Sequence, residues 1–424
     1  MEQRLPAHVR RLIDKGVIIP NPYSVEIGDD IDVEKISGHG TVFHSGTKLF
    51  GAKTLICSGV KLGAEAPVTI TNCQLGPDVE LKGGFFKGSV FLDRANMGSG
   101  AQIREACILE EEANGAHTVG LKQTILFPFV TLGSLINFCD CFMAGGTSRK
   151  NHSEVGSSYI HFNYTPNQDK ATASLIGDVP RGVMLNQQPI FLGGQGGLVG
   201  PTRIGYGTVI AAGTIYRRDC PEGATLIEGC ERGVEEKPFH AGFYGSIESR
   251  LSNNILYIAH LLALQAWYIH VRKHFFTGRE FGAAIYEGAL EKLDMAVAER
   301  IKRFEALADK MEQSIEISER ILSGAKKERQ IAQQQAFRTG WPQIKESLAN
   351  VDPENRVSKE REVFFSKIED RIVDAENYIT FIQSLDNEAV TAGTAWLQTF
   401  VDGVAGEAIQ SLNSAHFNEL TLII

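Results

Sequence analysis

Four consecutive hexapeptides decide the fold: Leu192-Gly-Gly-Gln-Gly-Gly, Leu198-Val-Gly-Pro-Thr-Arg, Ile204-Gly-Tyr-Gly-Thr-Val and Ile210-Ala-Ala-Gly-Thr-Ile. An aliphatic residue opens each hexapeptide, and a small residue usually follows it. A period of six is neither the period of a helix nor the two-residue alternation of a strand. It is typical of a parallel β-helix, in which each hexapeptide forms one flat side of a triangular coil.

In such a coil the aliphatic side chain points inward and stacks on its equivalents in the neighbouring coils, while the small residue occupies a corner. Weaker copies such as Leu62-Gly63 and Leu132-Gly133 occur upstream at irregular intervals, which predicts loops that leave the coils. A glycine-rich β-sandwich is the alternative, but four hexapeptides in strict register argue against it. We expect a short helical lead-in over residues 1–23 and a left-handed parallel β-helix over residues 24–227.

Composition changes near residue 227. The 424-residue chain has 43 glycines, of which 31 lie before this point, where acidic and basic residues nearly balance. The remainder carries 22 basic and 30 acidic residues. Its apolar stripe from Ile301 to Leu322 alternates spacings of three and four, as in a heptad seam. We expect a helical domain over residues 228–424, broken at Gly340-Trp341-Pro342 and at Asp352-Pro353. Its helices form either an antiparallel coiled coil for assembly or a cap on the β-helix.

Charge, hydropathy and cysteine content exclude several classes of protein. The formal charge of −9 argues against nucleic acid as a partner. The most hydrophobic run, Ile255 to Val271, is too short and too interrupted to span a membrane, and no apolar signal segment opens the chain. Seven cysteines without a CxxC pair fit a reducing compartment. We therefore expect a cytoplasmic protein with no membrane partner. We also expect no metal, because neither the pair His39/His44 nor the pair Cys139/Cys141 has the further ligands that a metal site needs.

Upstream of the hexapeptides, Val155-Gly-Ser-Ser-Tyr-Ile-His-Phe-Asn163-Tyr164 is followed by Lys170 and by Ile176-Gly177-Asp178. This segment resembles the β-helical half of the bifunctional glucosamine-1-phosphate acetyltransferase / N-acetylglucosamine-1-phosphate uridylyltransferase family. The family pattern is I-G-x-G-T-x-x-x-N-Y-D-G-x-x-K, followed by I-G-D. The first residues do not resemble the uridylyltransferase half, so we expect any relation to UDP-N-acetylglucosamine pyrophosphorylases to lie in the β-helix.

The resemblance implies roles for the matched residues. Asn163 and Tyr164 match the pair at the family's sugar-phosphate site, and Lys170 matches the lysine that contacts the phosphate. Asp140 stands where the family has its catalytic histidine, and Met143 stands where it has a tyrosine. The matched position therefore offers a carboxylate in place of the imidazole that accepts a proton.

Further polar residues concentrate between Gly145 and Lys170. Arg149 and Lys150 are candidate phosphate ligands beside Lys170. His152 or His161 is the candidate proton acceptor in place of the missing histidine, because imidazole titrates near neutral pH. His161 and Asn163 are two residues apart and would face the same side of one extended strand. The alternative is a polar loop without a ligand.

These residues predict a sugar-phosphate or nucleotide-sugar transferase of the hexapeptide acyltransferase type. By resemblance, the donor is acetyl-CoA or another acyl-CoA, and the protein is a trimer that binds CoA between neighbouring β-helices. A sugar amine would attack the thioester carbonyl, with a histidine accepting the proton. Two alternatives remain open: a non-catalytic protein that binds sugar nucleotides, and a structural scaffold whose helices set the oligomeric state.

Overall fold

The computed structural model describes residues 5–229, 236–410, 412 and 417. It contains a β-solenoid of about 11 turns followed by a helical region, so the predicted order of the two architectures is confirmed. A helix, α1 (Ala7–Lys15), precedes the coils and ends at Gly16, whose φ of 108° is a conformation that glycine tolerates best. Two 3-10 turns, Pro22–Ser24 and Val33–Lys35, lie within the first coils.

The short strands of the solenoid form three faces, and neighbouring coils pair in parallel. The first face consists of Val42–Phe43, Lys61–Leu62, Glu80–Leu81, Asn96–Met97, Asn114–Gly115, Thr131–Leu132, Glu154–Val155, Phe191–Leu192, Val209–Ile210 and Leu226–Ile227. The second consists of Glu26–Ile27, Lys48–Phe50, Val68–Thr71, Gly84–Lys87, Ala101–Ile103, Ile160–Phe162, Gly197–Val199 and Ile215–Tyr216. The third consists of Leu55–Ile56, Gln74–Leu75, Val90–Phe91, Ile108–Leu109, Ser174–Ile176 and Arg203–Ile204.

Two longer strands, Val119–Leu126 and Ile136–Met143, each turn a corner and contribute to both the second and the third face. After Met143 the chain leaves the coil as an antiparallel hairpin, Gly146–Ser148 and Asn151–His152. It leaves the coil again at residues 163–173 and at residues 177–190. These excursions explain why the upstream repeat is irregular in sequence.

The hexapeptide period follows from the stacking of the coils. Leu192 and Ile210, 18 residues apart, are partners in adjacent strands of the first face. Leu198 lies on the second face and Ile204 on the third, and all four side chains are buried in the interior. Three hexapeptides therefore complete one coil, as the sequence predicted.

The third face differs from the first because most of its strands are buried on both sides. First-face strands alternate a buried residue with a more exposed one, whereas Leu55–Ile56, Val90–Phe91 and Ile108–Leu109 are wholly buried. Val90 and Ile108 lie in register with Gln74, whose side chain packs on Gly288 of a helix. The outward side of this face is thus covered by the helical region, and continuous apolar pairs are what such a strand requires.

A short helix, α2 (Val179–Gly182), lies within a solenoid excursion. The helical region continues the chain with eight α-helices among the described residues. They are α3 (Glu248–Trp267), α4 (Lys273–Phe276), α5 (Gly282–Asp309), α6 (Met311–Ile321), α7 (Gly324–Ala349), α8 (Lys359–Ile372), α9 (Tyr378–Gln383) and α10 (Asn387–Gln410). A π-helical turn, Tyr268–Arg272, joins α3 to α4. No helix of the described chain has both the length and the apolar content that crossing a membrane requires.

The segment from α3 to the start of α5 runs lengthwise along the third face and then turns back. Its hydrogen bonds reach earlier coils as the segment proceeds. Asn254 donates to Ala171, Tyr268 and Arg272 donate to the neighbouring residues Glu110 and Glu111, and the Glu280 carbonyl accepts from Cys57. Helix α5 then returns, with Glu291 bound to Lys53 and Arg300 bound to Asp140. Helices α3 and α5 therefore cap the β-helix within one chain.

The predicted break at Gly340-Trp341-Pro342 is wrong, since α7 continues through Pro342. Trp341 is buried beside Phe304 and Phe337, with ring centroids 5.1 and 6.0 Å away, so tertiary packing outweighs the local helix-breaking preference. The antiparallel coiled coil stays a prediction.

A cluster of buried polar groups joins the third face to the helices. Arg272, which is 1% exposed, binds Glu111 through both terminal nitrogens, at 2.7 and 3.1 Å, and lies 3.9 Å from the ring centre of Tyr378. Tyr268 donates to Glu110 at 2.6 Å. Burial raises the pKa of Glu110 from 4.5 to about 7, an effect that Arg272 opposes.

This raised pKa predicts a pH dependence of stability. The folded chain holds a proton on Glu110 that the unfolded chain releases, so this stabilisation is complete below pH 4.5 and is lost as pH rises through about 7. Glu110→Gln should therefore lose less unfolding free energy than wild type between pH 5 and 8, by on the order of 3 kcal/mol. Urea unfolding across this range measures the difference. The exposed Glu34→Gln serves as control, and parallel profiles for wild type and Glu110→Gln would contradict the prediction.

Candidate functional site

The residues that the sequence analysis grouped into one site lie at two different corners of the solenoid. Arg149, Lys150 and His152 belong to the hairpin between the third and first faces. Asn163, Tyr164 and Lys170 belong to the excursion between the second and third faces. No hydrogen bond or ion pair within the described residues joins the two groups. Nearness in sequence therefore does not translate into one cluster here.

Asp140 occupies a corner of the coil and is held by partners from both halves of the chain. Its φ of 58° is left-handed, a conformation that aspartate tolerates better than most residues. One carboxylate oxygen accepts from Asn163 Nδ2 at 2.7 Å, and the other accepts from Arg300 Nη2 at 2.5 Å. The side chains of Asp140 and Arg300 are 13% and 3% exposed. The carboxylate is thus committed to a buried ion pair.

The excursion at 163–173 combines anchored and open side chains. Asn163 Oδ1 accepts from the Thr172 hydroxyl at 2.8 Å, so both ends of its amide are engaged. Asp169 accepts from the Tyr244 hydroxyl at 2.5 Å and lies 3.6 Å from Arg250, which ties the excursion to the helical region. Tyr164, by contrast, is 59% exposed, and Lys170 is also exposed. Tyr164 and Lys170 are the candidates that remain open to a ligand.

His161 points into the solenoid rather than towards solvent. It pairs with the core residue Leu198 in the neighbouring strand, is 3% exposed, and lies edge-on to Phe138. Its Nε2 is 2.8 Å from the Ser174 hydroxyl, which also accepts from the Thr202 amide. Burial lowers the pKa of His161 to about 4. This interior position gives no support to His161 as the proton acceptor, because a substrate at the surface is out of its reach.

The guanidinium group of Arg149 makes hydrogen bonds that stabilise the hairpin. Its Nη1 donates to the carbonyl oxygens of Glu112 and Phe129 and to the Thr131 hydroxyl, at 2.9 to 3.0 Å. Burial lowers its pKa. Lys150, next to it, is exposed and forms no ion pair among the described residues. Lys150 is therefore the more available cation of the two.

His152 has the geometry of an oriented imidazole. Its Nδ1 is 2.9 Å from the carbonyl oxygen of Arg149, so Nδ1 carries the proton and donates it. In the neutral ring Nε2 is then the basic nitrogen, and it lies 3.7 Å from Glu154. The side chain is 20% exposed. Of the two candidate histidines, His152 has the accessible basic atom, although its catalytic role stays a prediction.

Sequence reasoning missed the partner of Asp140, because Arg300 lies 160 residues further along the chain. A signal of contact between the two halves was present in the apolar helix α3, where Asn253, Asn254 and His260 interrupt an otherwise apolar run. Buried polar residues of this kind need hydrogen-bond partners on another element. In the described part of the chain, no group of three or more His, Cys, Asp or Glu side chains is arranged to hold a metal.

The class that the fold defines is that of parallel β-solenoids built from hexapeptide repeats. No protein-family model matches the chain. The sequence is 27% identical to the bifunctional protein GlmU of Thermotoga petrophila over 227 residues, which are 52% of this chain and 44% of that protein. It is also 27% identical to GlmU of Carboxydothermus hydrogenoformans, over 51% of this chain and 43% of that one.

The chain is thus a distant homologue of GlmU proteins over about half its own length, and it covers less than half of theirs. Among solved structures, the UDP-N-acetylglucosamine acyltransferase from Campylobacter jejuni aligns with 49% of this chain and 68% of its own, at 12% identity. The TM-score of this alignment is 0.15.

The Asp140–Arg300 pair yields a stability prediction. Arg300→Met removes the only cation bound to Asp140 among the described residues, and it should cost about 3–5 kcal/mol of unfolding free energy because the carboxylate is largely buried. Arg303→Met, one turn further along α5, removes only an ion pair with Glu299 and should cost less than about 1 kcal/mol. Urea unfolding of both variants makes the comparison.

The double variant Asp140→Asn/Arg300→Met removes both charges and should recover part of the loss. Additive effects of Asp140→Asn and Arg300→Met would show that the two side chains do not interact, which contradicts the geometry.

Proposed function

We propose that the chain binds a sugar phosphate or a nucleotide sugar and does not transfer an acyl group from the position that the family uses. The state of Asp140 carries this proposal. In the resemblance to the bifunctional acetyltransferases, this position supplies the base, yet here it is a carboxylate neutralised by Arg300 and bound to Asn163. Both oxygens of this carboxylate already accept a hydrogen bond, so the group is not free to turn towards an approaching amine.

Tyr164 and Lys170 are the proposed binding residues. The exposed ring of Tyr164 offers a flat apolar surface with a hydroxyl at its end, which suits the edge of a sugar. Lys170 forms no ion pair among the described residues and offers a point charge to phosphate. Asn163 has a supporting role, because its amide is already engaged with Asp140 and Thr172.

Acyl transfer is the second candidate, and the geometry of His152 favours it. A sugar amine would attack the thioester carbonyl of acetyl-CoA or another acyl-CoA, and the CoA thiolate would leave. The amine proton would pass to Nε2 of His152, whose tautomer is set by the Arg149 carbonyl. Lys150 would lie beside the substrate phosphate in this arrangement, since Arg149 is occupied.

Assembly as a trimer belongs to the same proposal and is supported by exposed apolar side chains on the last coils. Phe191, Val209 and Leu226 lie in register on the first face and are 38%, 39% and 62% exposed. Ile215, 52% exposed, continues this surface on the second face, beyond the small corner residues at 211–213. Aligned apolar side chains of this kind are typical of protein interfaces.

The proposal also includes three expectations from the sequence. They are a left-handed coil, a division of the chain at residue 227 and a cytoplasmic location.

Binding and turnover are separable in one set of experiments on the full chain. Titration calorimetry should show saturable binding of glucosamine-1-phosphate or UDP-N-acetylglucosamine, and the thioester absorbance of added acetyl-CoA should not fall. Lys170→Gln and Tyr164→Ala should each weaken binding roughly ten-fold, since each removes one direct contact. Lys61→Gln, an exposed cation on the first face, is the control.

If the wild-type chain consumes the thioester and His152→Gln does not, acyl transfer, the second candidate, would be established instead. Unchanged affinity in Lys170→Gln and Tyr164→Ala would contradict the site assignment. No binding of any of these compounds would contradict the proposal and favour a structural scaffold.

Light scattering tests the trimer. The full chain should have three times the mass of one chain, and Val209→Glu should shift it towards the monomer because it places a charge within the apolar row. Asn114→Glu, on the same face in an earlier coil, should leave the mass unchanged. A monomeric wild-type chain would contradict the proposal.

A further inference from the structure

A cavity of about 440 Å³ lies between α3, α5 and the end of α7. Of its twelve described lining residues, ten are aliphatic or proline and none is aromatic. Leu262, Ile301 and Leu348 form walls contributed by the three helices, and all three side chains are buried. The volume lies within the range of roughly 300–1,000 Å³ that is typical of small-molecule sites. None of the lining residues belongs to the surface around Tyr164 and Lys170.

The two polar residues of the lining, Gln265 and Asp294, are bonded to each other. Gln265 lies within the apolar helix α3, is 6% exposed and donates through Nε2 to Oδ1 of Asp294 at 2.6 Å. This bond fixes the orientation of the carboxylate on α5. The oxygen Oε1 of Gln265 and the oxygen Oδ2 of Asp294 accept no hydrogen bond within the described residues. The polar part of the cavity therefore offers acceptors for a ligand that donates hydrogen bonds.

Asp294 is the one ionisable side chain among the described lining residues, and it forms no ion pair within the described chain. It is exposed, so a ligand can reach it from solvent. Partial burial raises the pKa of Asp294, and the hydrogen bond from Gln265 opposes this effect. The nearby Glu291 is itself paired with Lys53 and Lys292. A cation beside Asp294 would therefore meet one uncompensated negative charge.

We propose that this cavity binds a primary aliphatic amine. Its ammonium group donates to Asp294 Oδ2 and to Gln265 Oε1, and its third N–H donates to water. The alkyl chain packs on Leu262, Ile301 and Leu348, where burial of methylene groups supplies affinity. One ammonium charge matches one carboxylate charge, so the complex leaves no buried charge without a partner. This site goes beyond the proposed function.

Titration calorimetry on the full chain at neutral pH tests the proposal with hexylamine, hexanol and hexanoate. Hexylamine should bind saturably, hexanol should bind at least roughly ten-fold more weakly, and hexanoate should not bind. Butylamine should bind roughly ten-fold more weakly than hexylamine, because it buries two fewer methylene groups.

Substitutions of Asp294 test which atoms hold the ligand. Asp294→Asn should weaken hexylamine binding roughly ten-fold and abolish its advantage over hexanol. Asp294→Lys should reverse the preference, so that hexanoate binds and hexylamine does not, a gain that a misfolded chain could not show. Asp309, an exposed carboxylate at the end of the same helix, gives the matched controls. Asp309→Asn and Asp309→Lys should both behave as wild type.

Several results would overturn the proposal. They are equal binding of hexylamine and hexanoate, hexylamine binding that is insensitive to Asp294→Asn, and no hexylamine binding by a chain with wild-type melting behaviour. Wild type and Asp294→Asn should respond identically to glucosamine-1-phosphate, whatever that response is. A difference between them would assign this cavity to the sugar-phosphate site and would also overturn the proposal. Failure of the amine site is thus distinguishable from failure of the site at Tyr164 and Lys170.

Discussion

The burial of the third solenoid face on both sides is the constraint on which the rest of the structure depends. A solenoid coil needs one inward aliphatic side chain per face, and the first face follows that rule with its outward residues in contact with water. The third face carries apolar residues in both directions, as in Val90–Phe91 and Ile108–Leu109. Such a surface is unfavourable in water, so the helical region has to cover it.

The same cover explains the state of the candidate site. Arg300 of α5 binds Asp140, and Tyr244, in the segment before α3, donates a hydrogen bond to Asp169. Both acidic groups lie at the edge of the covered face, where burial of a carboxylate requires a partner. The helices therefore close this corner of the solenoid. They leave Tyr164 and Lys170 in contact with solvent.

The sequence was most informative where structure depends on local periodicity. The spacing of Leu192, Leu198, Ile204 and Ile210 predicted one residue per face, because inward stacking repeats with every coil. It was least informative where a contact joins distant residues, as with Asp140 and Arg300. His161 was expected to face a ligand with Asn163, but strand alternation turned it into the core beside Leu198. Pairs such as Val90–Phe91 contained the missing signal, since adjacent apolar residues indicate a strand covered on both sides.

Two substitutions in one coil test the central claim most directly. Val90 lies outward on the third face, in register with Gln74, and Asn96 lies on the first face six residues later. Urea unfolding of Val90→Lys should show a loss of more than about 4 kcal/mol or a failure to fold, because an unpaired charge would be buried under α5. Asn96→Lys should change the unfolding free energy by no more than about 0.5 kcal/mol. Equal and small effects of both substitutions would show that the third face is open to water, which would contradict the account.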